Sequence, residues 1–334
     1  MTGSSKSVTD IDALIAAGQQ AEQFVDLGSG FTEGPAWSGE RNLLVFSNGF
    51  TNSVHGWSEE RGLTTLRDSS GQTNGTAWDL DGGLLCCESG ARRLTRWHLD
   101  GSLQTVADKF GQHELNSPND VICAQNGDIF FTDPPFGIHN DDGSYGPSPY
   151  GFGGVFRIDA KSNEISVVTD RLQFPNGLAL SPNEDLLYVA DSSGAKIWVF
   201  ERHADGSFGR GRALVDVTES IGLCLPDGLR VDQSGRIFLA ANTRHGVIVF
   251  DSTGSYVGSI PLVADPSTDP PEPRDGDDVE QANMLALISR PNFMNDIARP
   301  SNITFGGSDY SELLVTARSA VFRVRLTTSG LPRR

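Results

Sequence analysis

Six related segments recur along the chain, and no other feature restricts its fold as strongly. They are "EGPAWSGERNLLVFSN" from Glu33, "NGTAWDLDGGLLCCES" from Asn74, "NDVICAQNGDIFFTD" from Asn119, "NGLALSPNEDLLYVAD" from Asn176, "DGLRVDQSGRIFLAA" from Asp227 and "NITFGGSDYSELLVTA" from Asn302. In each, a polar residue opens a short apolar segment, a turn rich in Gly, Asp or Asn follows, and a second apolar run begins. That is the pattern of a β-hairpin. The second run opens at the same offset from the leading residue in five segments, at Leu43, Leu84, Ile129, Leu186 and Ile237. In the sixth, Glu312 takes that place and the run is expected one residue later. A third run follows every hairpin, as in "GGVFRID" and "HGVIVFD", and a fourth follows five of them, as in "LQTVAD" and "ISVVTD". Four antiparallel strands repeated six times predict an all-β, six-bladed β-propeller. The last hairpin lacks a fourth strand after "VFRVRL", whereas "EQFVDLG" at residues 22–28 stands alone before the first. The N-terminal strand is therefore expected to complete the last blade and close the ring, which removes exposed sheet edges.

One large β domain over residues 21–334 accounts for the length, with residues 1–20 as an N-terminal tail or short helix; 38 glycines and 17 prolines suit a chain of many turns. A net charge of -17 and a pI near 4.7 oppose phosphate backbones and anionic headgroups, so neither nucleic acid nor membrane is expected as a partner. The start, "MTGSSKSVTDIDALIAAGQQ", lacks the basic and long apolar regions of a secretion signal, and a cytoplasmic location is expected. Cys86, Cys87, Cys123 and Cys224 form no zinc-type pair. Adjacent Cys86 and Cys87 lie in a strand run, so they should point to opposite faces as buried thiols.

The third and fifth intervals between leading residues are longer than the others, with insertions at 133–153 and 263–300. In a four-stranded blade both fall on the face that carries the leading residues. Residues 263–300 open acidic and Pro-rich and then offer a helix-like stretch, "VEQANMLALI", which reads as a surface loop or as a lid over the channel. On that same face Glu33, Asn74, Asn119, Asn176, Asp227 and Asn302 surround one mouth of the central channel. Two carboxylates with several amide carbonyls make an all-oxygen cavity that suits one divalent ion, Ca²⁺ ahead of Zn²⁺, Mn²⁺ or Mg²⁺. Glu33, Asn119, Asn176 and Asp227 are read as the metal ligands, because glutamate is a poor turn former and both acidic leading residues fall in the series. For Asn74 and Asn302 a plain turn role competes equally with a place at the site.

At these positions the chain resembles the family of gluconolactonases and senescence marker protein 30, or regucalcin. The resemblance runs from Phe31 to Leu326 through "FTEGPAW", "CESGARRLTR", "LNSPNDV", "FTDPPFGI", "FPNGLALSPNEDLLYVADS", "LPDGLRVDQSGRIF" and "NITFGGSDYSELLVT". It implies a divalent metal held by Glu33, Asn176 and Asp227, with Asn119 as a further ligand or substrate contact, and it implies hydrolysis of sugar lactones. Animal members look like "RFND" where this chain has "SPND", so Ser117 stands in place of a substrate-contacting arginine.

Opening a small-molecule lactone needs a polarised carbonyl, an activated water and a stabilised oxyanion. Asp227 is the candidate general base, ahead of Asp120 and Glu33. Asn74, Asn119, Asp120, Phe136, Glu88 and Asn302 are candidate substrate contacts. His139, Tyr145, Tyr150 and Phe152 of the 133–153 loop could border the site or pack the loop, and Arg92 could pair with Glu88 structurally. No G-x-S-x-G elbow supports a serine nucleophile. The competing readings are hydrolysis of another lactone, ester or phosphotriester at the same centre, or a calcium-binding propeller without chemistry.

Overall fold

A computed structural model describes residues 11–138, 140, 146–172, 174–222, 224–263 and 299–332. Six four-stranded antiparallel sheets are arranged as a six-bladed propeller. Blade 1 comprises Thr32–Ser38, Leu43–Asn48, Ser53–Ser58 and Gly62–Asp68; blade 2, Thr73–Trp78, Leu84–Glu88, Arg93–Trp97 and Leu103–Ala107. Blade 3 comprises Val121–Cys123, Ile129–Asp133, Gly153–Ile158 and Ile165–Leu172; blade 4, Pro175–Leu180, Leu186–Asp191, Lys196–Glu201 and Arg212–Asp216. Blade 5 comprises Pro226–Val231, Ile237–Ala241, Gly246–Phe250 and Tyr256–Pro261. Blade 6 takes Pro300–Gly306, Glu312–Ala317 and Ala320–Arg325 from the end of the chain, and Glu22–Asp26 pairs with the last of these as its fourth strand. The ring closes as the lone "EQFVDLG" run required. The sixth second strand begins at Glu312 itself, one residue earlier than its apolar run, so the offset holds in all six blades.

The second strand of each blade is buried on both faces over most of its length because it packs against two neighbouring blades. Cys86 and Leu84 join Val45 and Trp97 between blades 1 and 2. Cys87 and Leu85 join Phe131 and Phe156 between blades 2 and 3. The two adjacent thiols thus serve different interfaces, and both are free and fully buried. The remaining apolar clusters fill the other four blade junctions in the same way. Continuous apolar runs, instead of strict alternation, follow from burial on both faces.

The first strand of each blade touches the first strand of the next all the way around, from blade 1 through blade 6 and back. These strands line the axis. In five blades their pairing with the second strand shifts register at the start, between Glu33 and Ala36, Thr73 and Thr76, Pro175 and Leu178, Pro226 and Leu229, and Pro300 and Asn302. Such a bulge re-aims the residue it contains, and the leading residue lies within or at its edge each time. In the third blade Asn119 is held by its N–H to the Thr132 carbonyl at 2.8 Å.

Glycine after the leading residue lets neighbouring strands meet. A Cβ on Gly177 would stand 2.5 Å from the Asp227 carbonyl oxygen, and one on Gly75 would stand 2.5 Å from that of Asn119. Outside the ring, Ile11–Leu14 forms one helical turn, and Leu14 packs with Phe238 and Phe305 at the junction of blades 5 and 6. A short hairpin, Lys109–Phe110 with His113–Glu114, was not foreseen in the sequence. Residues 264–298, with the proposed lid, and His139 and Tyr145 lie outside the described residues.

Because the atoms opposing Gly177 are backbone, Gly177→Ala should cost about 1–3 kcal/mol by overpacking. Gly49→Ala, with nothing within 4 Å of its added Cβ, should stay within about 0.5 kcal/mol of the wild type. Urea denaturation of the two variants checks this; equal midpoints would contradict it.

Candidate metal centre

The bulged strand starts bring several leading side chains together at one mouth. Glu33, Asn119, Asn176, Asp227 and Asn302 are all buried, and Asn74 is half-buried. Pro118, Pro175 and Pro226 directly precede Asn119, Asn176 and Asp227. A proline there gives up no ladder hydrogen bond and fixes the entry of the strand. Asn302 Nδ2 donates to Glu33 Oε2 at 3.1 Å across the junction of blades 6 and 1, and the Gly34 N–H donates to the same oxygen at 2.9 Å. Asn242 Nδ2 donates to Asp227 Oδ2 at 2.6 Å, whereas Asn176 Nδ2 donates to Ser192 Oγ at 3.1 Å.

Burial raises the Glu33 carboxyl well above its ordinary range, and repulsion from Asp227 and Asp120 adds to it. Burial likewise pushes Asp227 up to about 7; Asn242 and Asn176 oppose this and Asp120 reinforces it. Three carboxylates therefore crowd the axis. One of them is neutralised within the protein: Asp120 Oδ2 pairs with Arg230 Nη1 at 3.1 Å, while Oδ1 accepts from the Val121 N–H at 2.9 Å. Glu33 and Asp227 remain, two buried carboxyls with amides as their hydrogen-bond partners, whose ionisation burial opposes until a counter-charge is supplied. That donor set fits a single divalent cation and disfavours a lone buried monovalent partner. Among the described residues no group of three or more His, Cys, Asp or Glu is placed to hold a metal, so an ion at this mouth would need amide oxygens as well as carboxylates.

The other sequence-derived positions separate by what their polar atoms touch. Asn302 is committed at both ends, to Glu33 and through Oδ1 to the Ile303 N–H at 2.8 Å. Glu88 is fully buried, with Arg67 and Arg93 each 2.7 Å from its oxygens and Thr95 Oγ1 at 2.9 Å. Asp120, Asn302 and Glu88 thus occupy supporting positions, and Arg92 instead reaches Glu114 at 3.0 Å. Asn74 and Asn119 stand at ring positions joined by the Gly75 N–H to the Asn119 carbonyl at 2.7 Å. Phe136 packs on Phe174 at 4.9 Å between centroids, above blades 3 and 4. Tyr150 and Phe152 pack inward with Phe110 and Phe156.

A second set of polar residues was missed by reading only the leading positions. Asn48, Ser89, Asp133, Ser192, Asn242 and Arg318 end the second strands, or directly follow them, and brace the mouth from behind. Ser192 Oγ accepts from Asn176 Nδ2 at 3.1 Å and donates to the Pro226 carbonyl at 2.7 Å, tying Asn176 to the residue before Asp227. Ser89 Oγ donates to the Pro118 carbonyl, before Asn119. Asp133 accepts the Asn116 and Ser117 N–H groups at 2.8 and 2.7 Å and the Tyr150 hydroxyl. Each bracing residue is polar and stands at or just after the end of a second apolar run, at an offset that varies by up to two residues and so forms no fixed motif.

Residues 31–270 match the model of the SMP-30/gluconolactonase/LRE-like region. The chain belongs to that family. A gluconolactonase of Zymomonas mobilis is 30% identical over 250 residues, covering 69% of this chain and 69% of that protein. The structure of a gluconolactonase from Xanthomonas campestris superposes with a TM-score of 0.76 at 29% identity, covering 96% of this chain and 93% of that one. A calcium-binding protein, regucalcin, from Agrobacterium tumefaciens shares the fold, with a TM-score of 0.70 at 16% identity over 94% of this chain and 95% of that one. The family match ends at residue 270, yet the fold needs blade 6 and the N-terminal strand to close.

Two outcomes follow from the buried charges. Arg230→Met leaves Asp120 without its counter-charge and should destabilise the protein by about 3–5 kcal/mol; adding Asp120→Asn should restore most of the loss in urea melts. Burial pushes the Asp133 carboxyl up to about 7, against the pull of the Tyr150 hydroxyl and the Asn116 and Ser117 amides. The folded state thus holds a proton that the unfolded chain releases near pH 4, at about the ordinary Asp pKa. Its contribution is complete below that pH and is lost as pH rises through about 7. Asp133→Asn should flatten this decline; an unchanged slope would contradict the assignment.

Proposed function

We propose that the protein is a metal-dependent lactonase that opens a sugar lactone at the propeller mouth. The observation that carries this reading is the pairing of Glu33 and Asp227: both are buried and repel each other, amides are their direct side-chain partners, and the nearest cation to Asp227, Arg318, stands behind Asn242. Family membership and likeness to the two gluconolactonases support the reaction class. Glu33, Asn176 and Asp227 would hold the ion, with Asn119 beside them. A divalent cation bound there supplies charge that polarises the lactone carbonyl and lowers the pKa of a bound water.

The chain's own residues supply the rest. Asn302 and the Gly34 amide fix one oxygen of Glu33, so the carboxylate has a single orientation. Asn176 is steadied by Ser192, and Asp227 by Asn242. Asp227 accepts the proton of the attacking water, being a carboxylate held against the axis with donors already arranged around it. Asn74 and Asn119 offer amides for the hydroxyls of the substrate, and Phe136 offers an apolar edge. The Arg230–Asp120 pair keeps a third negative charge away from the developing oxyanion. The preferred ion is Ca²⁺, on the grounds that every donor is oxygen.

The test is hydrolysis of a lactone panel, including glucono- and xylono-lactones, before and after chelation. Activity should vanish in EDTA and return with Ca²⁺ or Mn²⁺, and Asp227→Asn should lower kcat about 10²–10⁴-fold. Full activity in the chelator, or an intact panel with metal supplied, would contradict the reading.

A further inference from the structure

Arg318 sits where the chain would ordinarily use glycine. It opens the two-residue turn between Glu312–Ala317 and Ala320–Arg325, with Ala317 facing Ala320 across the turn, and its φ is 51°. A left-handed non-glycine residue costs about 1 kcal/mol or more. The residue is also buried and charged, at 2% exposure. The turn accounts for the positive φ, but not for a buried charge, which needs a role elsewhere.

The side chain leads to the metal centre in two steps. Arg318 Nη2 donates to Asn242 Oδ1 at 3.3 Å, and Asn242 Nδ2 donates to Asp227 Oδ2 at 2.6 Å. The guanidinium lies over the Phe31 ring at 5.1 Å from its centroid, two residues before Glu33. Its carbonyl accepts the Thr32 N–H at 2.5 Å, so the turn is anchored to the strand that carries Glu33. Asn242 is fixed in turn by its own N–H to the Leu225 carbonyl at 3.0 Å. An amide can flip end for end, but the guanidinium donates only; Asn242 must therefore present its oxygen to Arg318 and its NH₂ to Asp227.

We infer that Arg318 and Asn242 are positioning residues for Asp227: Arg318 sets which end of the Asn242 amide faces the carboxylate, and Asn242 then holds Oδ2 so that Oδ1 is presented to the axis. The inference rests on Asp227 serving the metal centre, as proposed above. A positively charged group from blade 6 thus orients a carboxylate of blade 5 through a neutral intermediary. Direct contact would instead neutralise the charge that the cation requires.

Calorimetric titration with Ca²⁺, kcat and KM on the best lactone of the panel, and melting in chelator are measured for Asn242→Ala, Arg318→Met, Arg318→Lys and the double variant Asn242→Ala/Arg318→Met. Asn242→Ala should weaken Ca²⁺ binding or lower kcat about 10–100-fold, the usual range for a group that orients a ligand. Arg318→Met should shift both in the same direction, and Arg318→Lys should recover part of the loss. The double variant should be no worse than Asn242→Ala alone, since Arg318 acts through that amide. Wild-type affinity and kcat in Arg318→Met, or a double variant whose loss is the product of the two single losses, overturns the inference. Should Arg318→Met fail to fold in chelator, Arg318→Lys and Asn242→Ala decide on the same readouts. If the wild type binds Ca²⁺ but opens no lactone, the lactonase reading fails while the Ca²⁺ affinities still decide the role of Arg318. A wild type that binds neither Ca²⁺ nor Mn²⁺ overturns both.

Discussion

Close approach of the inner strands governs what the propeller mouth can be. A Cβ on Gly34 would stand 2.3 Å from the Asn74 carbonyl oxygen, and one on Gly228 would stand 2.1 Å from Asn302 Oδ1. Each glycine sits beside the leading residue of the next blade. Only this spacing allows side chains from separate blades to share one site: Asn302 reaches Glu33, and Ser192 ties Asn176 to the residue before Asp227. The two leading residues not followed by glycine show what replaces it. Asp120 follows Asn119 and is absorbed by Arg230, and Ile303 follows Asn302 and enters the junction of blades 5 and 6.

Crowding has an electrostatic consequence. The charges of Asp227 and Asp120 oppose ionisation of Glu33, that of Asp120 opposes ionisation of Asp227, and burial removes the water that would screen them. The fold answers with one guanidinium on Asp120 and amides on the other two. This division leaves a site selective for charge as much as for shape. A third unpaired carboxylate would oppose the oxyanion that lactone opening creates, whereas a second guanidinium in direct contact would compete with the proposed ion. Arg318 acts at one remove through Asn242, which is consistent with that balance.

Much of the fold was legible because repetition makes errors visible: six hairpins of equal offset leave little freedom in register. Even Glu312, polar where the others are apolar, begins its strand at the common position. The ring of leading residues was legible for the same reason. What their side chains touch was not. Glu88 looked like a mouth residue by its position, but two arginines from neighbouring strands consume its carboxylate. Asp120 looked like a candidate base, and its partner Arg230 lies 110 residues away, two blades further round the ring. The bracing residues Ser192, Asn242 and Arg318 carry no motif of their own. Their role depends on contacts between strands and blades that periodicity along one chain does not encode.

The central claim is that the converging leading residues form one divalent metal site. Anomalous diffraction from a Mn²⁺-soaked crystal tests it most directly. The account predicts a single strong peak on the propeller axis within bonding distance of carboxylate oxygens of both Glu33 and Asp227 and the amide oxygen of Asn176. A peak elsewhere, or an axis without one under conditions that load a control metalloprotein, would contradict it.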